Sequence, residues 1–468
     1  MTPTTNRSAS SFGQEHFATA QLGDQRRTAR LVQIADRLSR HPGGTLPQKL
    51  ASPKDYKALM RLVNSPPVTH ASVLASHYER TRQRMEGVPG VVLVLHDTTE
   101  LDYSGLKSIK TLGQIGNGKG RGYLCHNSLA IEPQQRQVLG LAHQILHNRP
   151  EVLKKEGVKA KRQRTSRESR LWTRAVQAIG PAPAGKRWVD IADRGADIFE
   201  FLATEVQQQR HCVVRAAHNR SIGIGHGEQA DKALLFHHAR SLPEWGRQEI
   251  LVAGRDGAKD RNATVAVAAA AVQLLPPHVK RGEYEKRPLL VWVVRVWEPR
   301  PPKGCKALEW ILLTNVPVQT VAEAWEIVSW YECRWMIEEF HKAQKTGCAI
   351  EETQFTTEGA LQPMIALLSV VALLLLNLRE ASRRPDAEQR PATDIVASAY
   401  VEVLSGWRYK TMRSDLTIHE FFYALARLGG HMNRKRDHRP GWLVLWRGWI
   451  KLQCMLDGAE AVGFKKCG

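Results

Sequence analysis

The chain has 468 residues, 43% of them hydrophobic, and carries 67 Lys and Arg against 46 Asp and Glu, a formal net charge of +21. That length accommodates about two to four domains, and the hydrophobic share excludes a disordered tail. Charge of one sign opposes compaction and calls for a polyanionic partner; neither end carries the basic amphipathic helix that would favour a membrane surface over nucleic acid.

Residues 1–70 read as a small helical domain. Asp24 is placed to cap a helix whose opening turns carry Arg26, Arg27 and Arg30 and whose Leu31, Ile34, Ala35 and Leu38 form an apolar stripe. His41-Pro42-Gly43-Gly44 makes a turn, and a second helical stretch, Tyr56 to Leu62, stops at Ser65-Pro66-Pro67. Ten Lys and Arg against four Asp and Glu leave this segment at +6, which suits docking on a duplex as well as an ordinary solvated helix face.

Residues 71–380 alternate strands and helices. Val91 to Leu95 is a continuous aliphatic run, as in a strand buried on both faces. Tyr123–Glu132 and Val138–Leu146 flank Pro133-Gln134-Gln135-Arg136 as in a hairpin. A Lys/Arg-rich helical stretch from Lys154 to Trp172 leads to strands at Arg187–Ala192 and Cys212–Arg215. From about 220 to 306 the pattern becomes short strands, including Leu289–Trp297 and the alanine-rich Ala263–Leu274, for which a helix is the alternative. Trp310–Thr314 is again strand-like, and Val321 to Lys345 reads as one long helix. The apolar run Met364–Leu378 is 15 residues, short for a bilayer, and reads as a buried helix. Beyond a polar linker at 382–394 comes a helical region where Trp442, Trp446 and Trp449 share a face, as in a core or a subunit interface.

Among 46 acidic residues only position distinguishes a functional set. Asp97 and Asp193 each follow a strand-like run, and residues just past the carboxyl ends of strands line the site in open α/β sheets. Glu338 lies in the helix at 321–345. At about 100° per residue, Tyr331, Arg334, Glu338, Lys342 and Lys345 fall within an arc of roughly 80°, so one helix face offers a phenol, a guanidinium, a carboxylate and two ammonium groups. The bland reading is a solvated face of i,i+4 ion pairs. The chemical reading is a site for hard divalent ions, which take oxygen ligands and let a substrate phosphate complete their shell.

These residues carry a resemblance. The chain resembles the DDE transposases of the insertion-sequence-four family through the motif Tyr-x2-Arg-x3-Glu-x6-Lys, intact as Tyr331, Arg334, Glu338 and Lys345. His96-Asp97-Thr98-Thr99, the run Ala192 to Asp197, the run Glu309 to Thr314, the opening Leu22 to Arg30, and the closing Leu428-Gly429-Gly430 and Trp442–Trp449 look similar too. The resemblance implies an α/β fold: an RNase H-like catalytic core at 71–380, interrupted by a β-strand insertion at about 220–306. A helical DNA-end-binding domain at 1–70 and a helical dimerisation domain at 381–468 would flank it. Asp97, Asp193 and Glu338 would bind two Mg²⁺ ions, with Mn²⁺ able to substitute, for cut-and-paste cleavage through a hairpin and joining of 3′-OH ends to target. The implied partners are double-stranded DNA, both transposon ends and target, and a second copy of the chain in a synaptic homodimer; no membrane is involved. Tyr331, Arg334, Lys342 and Lys345 match positions that contact end DNA and its flipped base, and Trp310 matches an aromatic that stacks on that base. Arg215, His218 and Arg220 match further DNA-contacting side chains, whereas Met336 and Gln344 depart from the more polar or aromatic neighbours expected there.

Other signals are weaker. Gly113, Gly116, Gly118, Gly120 and Gly122 lack the G-K-[ST] of a nucleotide-binding loop and read as a mobile loop presenting Lys119 and Arg121 to phosphates. Seven scattered cysteines without a C-x-x-C pair suit a reducing compartment, and the first twenty residues lack a signal peptide's apolar core, so a cytoplasmic protein is expected; the resemblance implies a bacterial one, at the nucleoid. Two alternatives stay open: an RNase H-like nuclease without strand transfer, and a transposase-derived DNA-binding regulator, the latter disfavoured by the intact acidic triad.

Overall fold

The computed structural model describes residues 11–50, 52–149, 167–225, 231–252, 261–277, 284–305, 307–434, 437 and 439–461. Twelve strands among them join in one mixed sheet. They are β1 (Val91–Asp102), β2 (Gly113–Ile115), β3 (Gly120–Glu132), β4 (Gln137–His147), β5 (Arg187–Ala192) and β6 (His211–Arg215), then β7 (Ser221–Ile224), β8 (Asp231–Leu234), β9 (Gly246–Val252), β10 (Arg261–Leu274), β11 (Leu289–Trp297) and β12 (Glu309–Thr314). The order is β2-β3-β1-β5-β6-β12-β11-β10-β7-β8, with β4 on β3 and β9 on β10. β1, β5 and β6 run parallel. β3 and β4 continue from β1 antiparallel, and β12, β11 and β10 continue from β6 antiparallel. The mixed α/β class expected from the sequence is therefore present.

Side-chain alternation splits the core. Leu93, Leu95, Val189, Ile191, Val213 and Leu312 face one cluster, while Ala192, Cys212, Val214, Ile311 and Leu313 face another. On the first face lie α1 (Phe12–Phe17), α2 (Gln25–Arg40), α3 (Leu46–Leu50), α4 (Pro53–Val63) and α5 (His70–Gly87). The second is covered by α6 (Leu171–Ile179), α7 (Phe199–Gln207) and α8 (Leu235–Ser241). Asp24 caps α2 as expected, accepting from the Arg26 amide at 2.8 Å. Of the basic stretch expected from Lys154, residues 154–166 lie outside the described residues.

Two expectations change, and a third, the buried helix at 364–378, holds but is longer than expected. The stretch 321–345 is α9 (Val321–Glu332) and α10 (Trp335–Lys342), followed by a wide π-turn at Ala343–Gly347. At the break the Cys333 and Arg334 amides bond three residues back, to the Trp330 and Tyr331 carbonyls at 3.2 and 3.0 Å. This local tightening to a 3₁₀ pattern re-aims α10. The glycine-rich segment is no loose loop but the turn of the β2–β3 hairpin, with Gly116 at φ 57° and Gly118 at φ 89°, values that glycine adopts freely. The apolar run extends into α11 (Glu358–Ala381), at 24 residues long and apolar enough to cross a membrane by length and composition. It sits inside the protein, with Met364, Ile365, Leu368 and Val371 fully buried against α5 and β4.

The alanine-rich segment is strand β10, paired on both sides by β9 and β11. The last helices, α12 (Ser398–Tyr409), α13 (Ile418–Leu428) and α14 (Trp442–Ala461), form their own cluster. α13 and α14 meet backbone to backbone: a Cβ on Gly448 would lie 2.0 Å from the Leu425 carbonyl oxygen. Trp446 and Trp449 are buried within this cluster, and Trp446 also packs on Gly43 at the end of the N-terminal helices. The tryptophan stripe is core.

Candidate active site

β1 and β5 set the first two acids side by side. Their parallel pairing ends at His96 and Ala192, and Asp97 and Asp193 each stand one residue further on. Asp97 is not past its strand, as the sequence suggested, because β3 continues to pair with β1 as far as Asp102. By alternation from Leu95 and Ile191, both acids face the side on which α10 packs, through Met336, Ile337 and Phe340.

Asp97 is 19% exposed. Its Oδ1 accepts from the Thr98 amide at 2.8 Å, and its Oδ2 lies 3.4 Å from Arg334 Nη1. Its pKa is pushed up to about 6, by burial first and then by the negative charge of Asp193, with Glu338 adding and Arg334 opposing. Asp193 caps a single 3₁₀ turn, accepting from the Gly195 amide at 2.9 Å. Glu338, in the first turn of α10, accepts from Arg334 Nη2. The Arg334 guanidinium thus bridges Asp97 and Glu338. These acids supply oxygen donors suited to a hard cation, and Asp193 and Glu338 stand close enough to Asp97 to raise its proton affinity. Among the described residues no three His, Cys, Asp or Glu side chains enclose a metal as they stand; the guanidinium lies between two of the three.

The remaining expected residues divide. Tyr331 is buried, packs edge-on against Trp310 at 5.6 Å and is hydrogen-bonded to Arg215, whose Nη2 also donates to the Glu309 carbonyl at 3.1 Å. Burial raises the Tyr331 hydroxyl, with the Arg334 and Arg215 charges working against the rise. Trp310 and Arg215 are half-buried beside it. Lys342, one regular helical turn beyond Glu338, pairs with Glu339 at 3.1 Å, and Lys345, inside the π-turn, pairs with Glu351 at 3.3 Å. His218 is exposed, whereas Arg220 is committed to Asp197, donating to its carboxylate and to its carbonyl at 2.9 Å. Lys119 is exposed on the hairpin turn and Arg121 half-buried beside it. On α2, Arg26 is exposed, Arg27 donates to the Leu22 carbonyl at 3.0 Å, and Arg30 lies 3.7 Å from Asp55.

Sequence reasoning missed three features. Glu339, next to Glu338 but 3% exposed, accepts from Trp335 Nε1 at 2.9 Å, from Arg379 Nη1 at 2.8 Å and from Trp442 Nε1, tying α10 to α11 and α14. Burial works against its charge, yet Arg379 and these donors hold its carboxyl below the usual range. His96, Asp190 and Arg210 form a fully buried network on the opposite face of β1 and β5, with His96 Nε2 2.7 Å from Asp190 Oδ1 and Arg210 Nε 2.8 Å from its Oδ2. On α4, Lys54, Lys57 and Arg61 are exposed at helical spacing, a pattern legible in the sequence.

Residues 9–68, the segment of α1 to α4, match the family model described as transposase DNA-binding. The match supports a transposase that binds double-stranded DNA and places the DNA-binding module at these helices.

Proposed function

We propose that the protein is a cut-and-paste DNA transposase of the DDE type, within the insertion-sequence-four family. The observation that carries the reading is the placement of Asp97, Asp193 and Glu338 on one face of the sheet, with Arg334 between two of them. The half-sheet β4-β3-β1-β5-β6, antiparallel on one side of β1 and parallel on the other, supports an RNase H-like core.

Asp97, Asp193 and Glu338 would hold two Mg²⁺ or Mn²⁺ ions, whose contribution is to activate an attacking oxygen and stabilise the leaving one. The chain's own side chains do the rest. Arg26 with Lys54, Lys57 and Arg61 dock α2 and α4 on the phosphates of the end DNA. Arg334, Arg215 and Tyr331 position the scissile strand, with Lys342 and Lys345 along it and the Trp310 ring against an extruded base. His218, Lys119 and Arg121 lie near the same strand. Water opens one strand, the freed 3′-OH attacks the opposite strand to form a hairpin, a second water opens it, and the 3′-OH then attacks target DNA. Two copies of the chain would hold two ends in a synapse, at the nucleoid of a bacterial cytoplasm. The tryptophan stripe does not serve that interface, because Trp446 and Trp449 are buried within one chain.

Incubation with paired end DNA and Mg²⁺ tests the reading. Strand-transfer products are expected; cleavage alone would leave a nuclease, and binding alone a DNA-binding regulator. Asp97→Ala should retain end binding and lose cleavage, and a variant that still cleaves would remove Asp97 from the site.

A further inference from the structure

We propose that Arg334 is an exchangeable counter-ion that holds the acidic site closed to divalent metal until DNA draws its guanidinium away, so that metal and DNA are bound together. The inference rests on the reading of Asp97, Asp193 and Glu338 as the metal ligands.

Arg334 is only 16% exposed, and its two terminal nitrogens are both occupied, Nη2 donating to Glu338 and Nη1 facing Asp97 at 3.4 Å. A guanidinium is a planar fork of five donors in fixed geometry, so while its two terminal nitrogens are turned to these carboxylates it cannot present that same edge to a phosphate. A positive charge in that position also repels an incoming cation and keeps carboxylate oxygens from it. Arg334 therefore cannot hold the acids, admit metal between them and bind the scissile strand at once.

The surroundings supply the alternative position. Arg215, whose proton affinity is lowered by burial first, also feels the charges of Arg194 and Arg334, so three guanidiniums lie near one another. Their mutual repulsion is relieved by an anion, and a phosphate there competes with Asp97 and Glu338 for Arg334 by charge-assisted bidentate bonding. Arg334 stands at the α9–α10 break, on a 3₁₀-type bond and not inside a regular helix. By linkage, whatever DNA gains in metal affinity by removing the guanidinium, metal gains in DNA affinity. The free protein then keeps its acids paired and its metal affinity low away from DNA.

Calorimetric titration of Mn²⁺ into the full-length protein without DNA tests this. Arg334→Gln should bind Mn²⁺ roughly tenfold more tightly than the unaltered chain, the scale of one charge-assisted hydrogen bond. Arg334→Lys, which keeps the charge but not the fork, should tighten binding by less and decides the matter alone if the glutamine variant does not fold. Arg247→Gln, a cation on β9 paired with Glu244, should leave Mn²⁺ affinity unchanged. Adding a short duplex should raise Mn²⁺ affinity in the unaltered chain and raise it less in Arg334→Gln. If Asp193→Asn weakens Mn²⁺ binding while the Arg334 variants bind no more tightly, the counter-ion role is wrong and the metal site stands. If neither the unaltered chain nor Arg334→Gln binds Mn²⁺ in an Asp193-dependent way, the metal reading fails and the counter-ion role with it.

Discussion

Two ionic clusters lie back to back on β1 and β5. His96 and Asp97 are consecutive, and alternation sends them to opposite faces. Behind the sheet, His96, Asp190 and Arg210 are sealed from water, and Asp190 is satisfied by His96 at 2.7 Å and by two Arg210 nitrogens at 2.7 and 2.8 Å. Burial opposes its ionisation, but Arg210's charge and these bonds hold its carboxyl below the usual range. Nearby Glu205 is pushed far up, by burial first and then by the Asp190 charge, so one carboxylate and one guanidinium remain balanced. In front, Arg334 bridges Asp97 and Glu338 beside Asp193, and all three acids are partly exposed. Asp97 there feels the like charges of Asp193 and Glu338. The first cluster is built to be complete, the second to receive something.

The sharpest way to break this contrast is to neutralise one residue from each kind of site. Glu338→Gln should lower DNA cleavage by on the order of 10³-fold or more while the protein stays folded, because it removes a member of a unit that acts together. Its neighbour Glu339→Gln should instead lower stability, loosening Arg379 and Trp442, with cleavage per folded molecule largely kept; cleavage assays beside urea unfolding separate the two. Asp190→Asn belongs with Glu339. It leaves Arg210 buried without its counter-charge, and a cost of about 3–5 kcal/mol is expected. A cost below about 1 kcal/mol would mean that the rear network contributes little to the fold.

The sequence made the front cluster legible and hid the rear one. Asp97 and Asp193 follow strand-like aliphatic runs and Glu338 sits in a spaced motif, and position together with the family resemblance singled them out. The rear network joins residues 96, 190 and 210, which no local pattern relates. One signal was there: a lone aspartate inside Trp188-Val189-Asp190-Ile191-Ala192 must find a partner if that strand is buried. Strands β5 and β11 were readable to the residue because their β-branched and aromatic runs fill both faces. The α9–α10 break was not, since residues 321–345 contain neither Gly nor Pro until the chain has passed the motif, and only backbone bonding reveals the tightened turn. Nor was the π-turn, which contains Lys345 and leaves it on Glu351, whereas Lys342 stands one regular turn beyond Glu338 and pairs with Glu339.

A gentler measurement is the pH dependence of stability. Asp97 has its pKa raised to about 6 against an unfolded value near 3.8. Between those values the folded chain holds the extra proton, so this group favours folding at low pH and its contribution is lost as pH rises through about 6. Asp97→Asn should erase that slope and stabilise the metal-free protein at pH 7.5 by about 1–3 kcal/mol, allowing for the partial exposure of the side chain. A destabilised Asp97→Asn would show that the front acids are compensated like the rear ones. Unfolding curves at pH 4.5 and 7.5 without divalent ions distinguish the outcomes.

The smallest expected effect carries the contrast into the N-terminal helices, where the two kinds of charge appear as lysines. Lys57 is exposed on α4. Lys49 is 1% exposed, donates to the Cys348 carbonyl at 2.6 Å, and has its pKa lowered to about 8, mainly by burial. A lysine that neutralises a DNA phosphate releases counter-ions, so its loss should flatten the salt dependence of binding by about 0.9 in log–log slope. Lys57→Ala should do so while leaving unfolding unchanged. Lys49→Met should leave the slope alone, because a side chain spent on a backbone carbonyl in the core releases no counter-ions from DNA. If Lys49→Met flattened the slope as much as Lys57→Ala, burial would not separate structural from DNA-facing charge in this protein, and the same logic would lose its hold on the two clusters of the sheet.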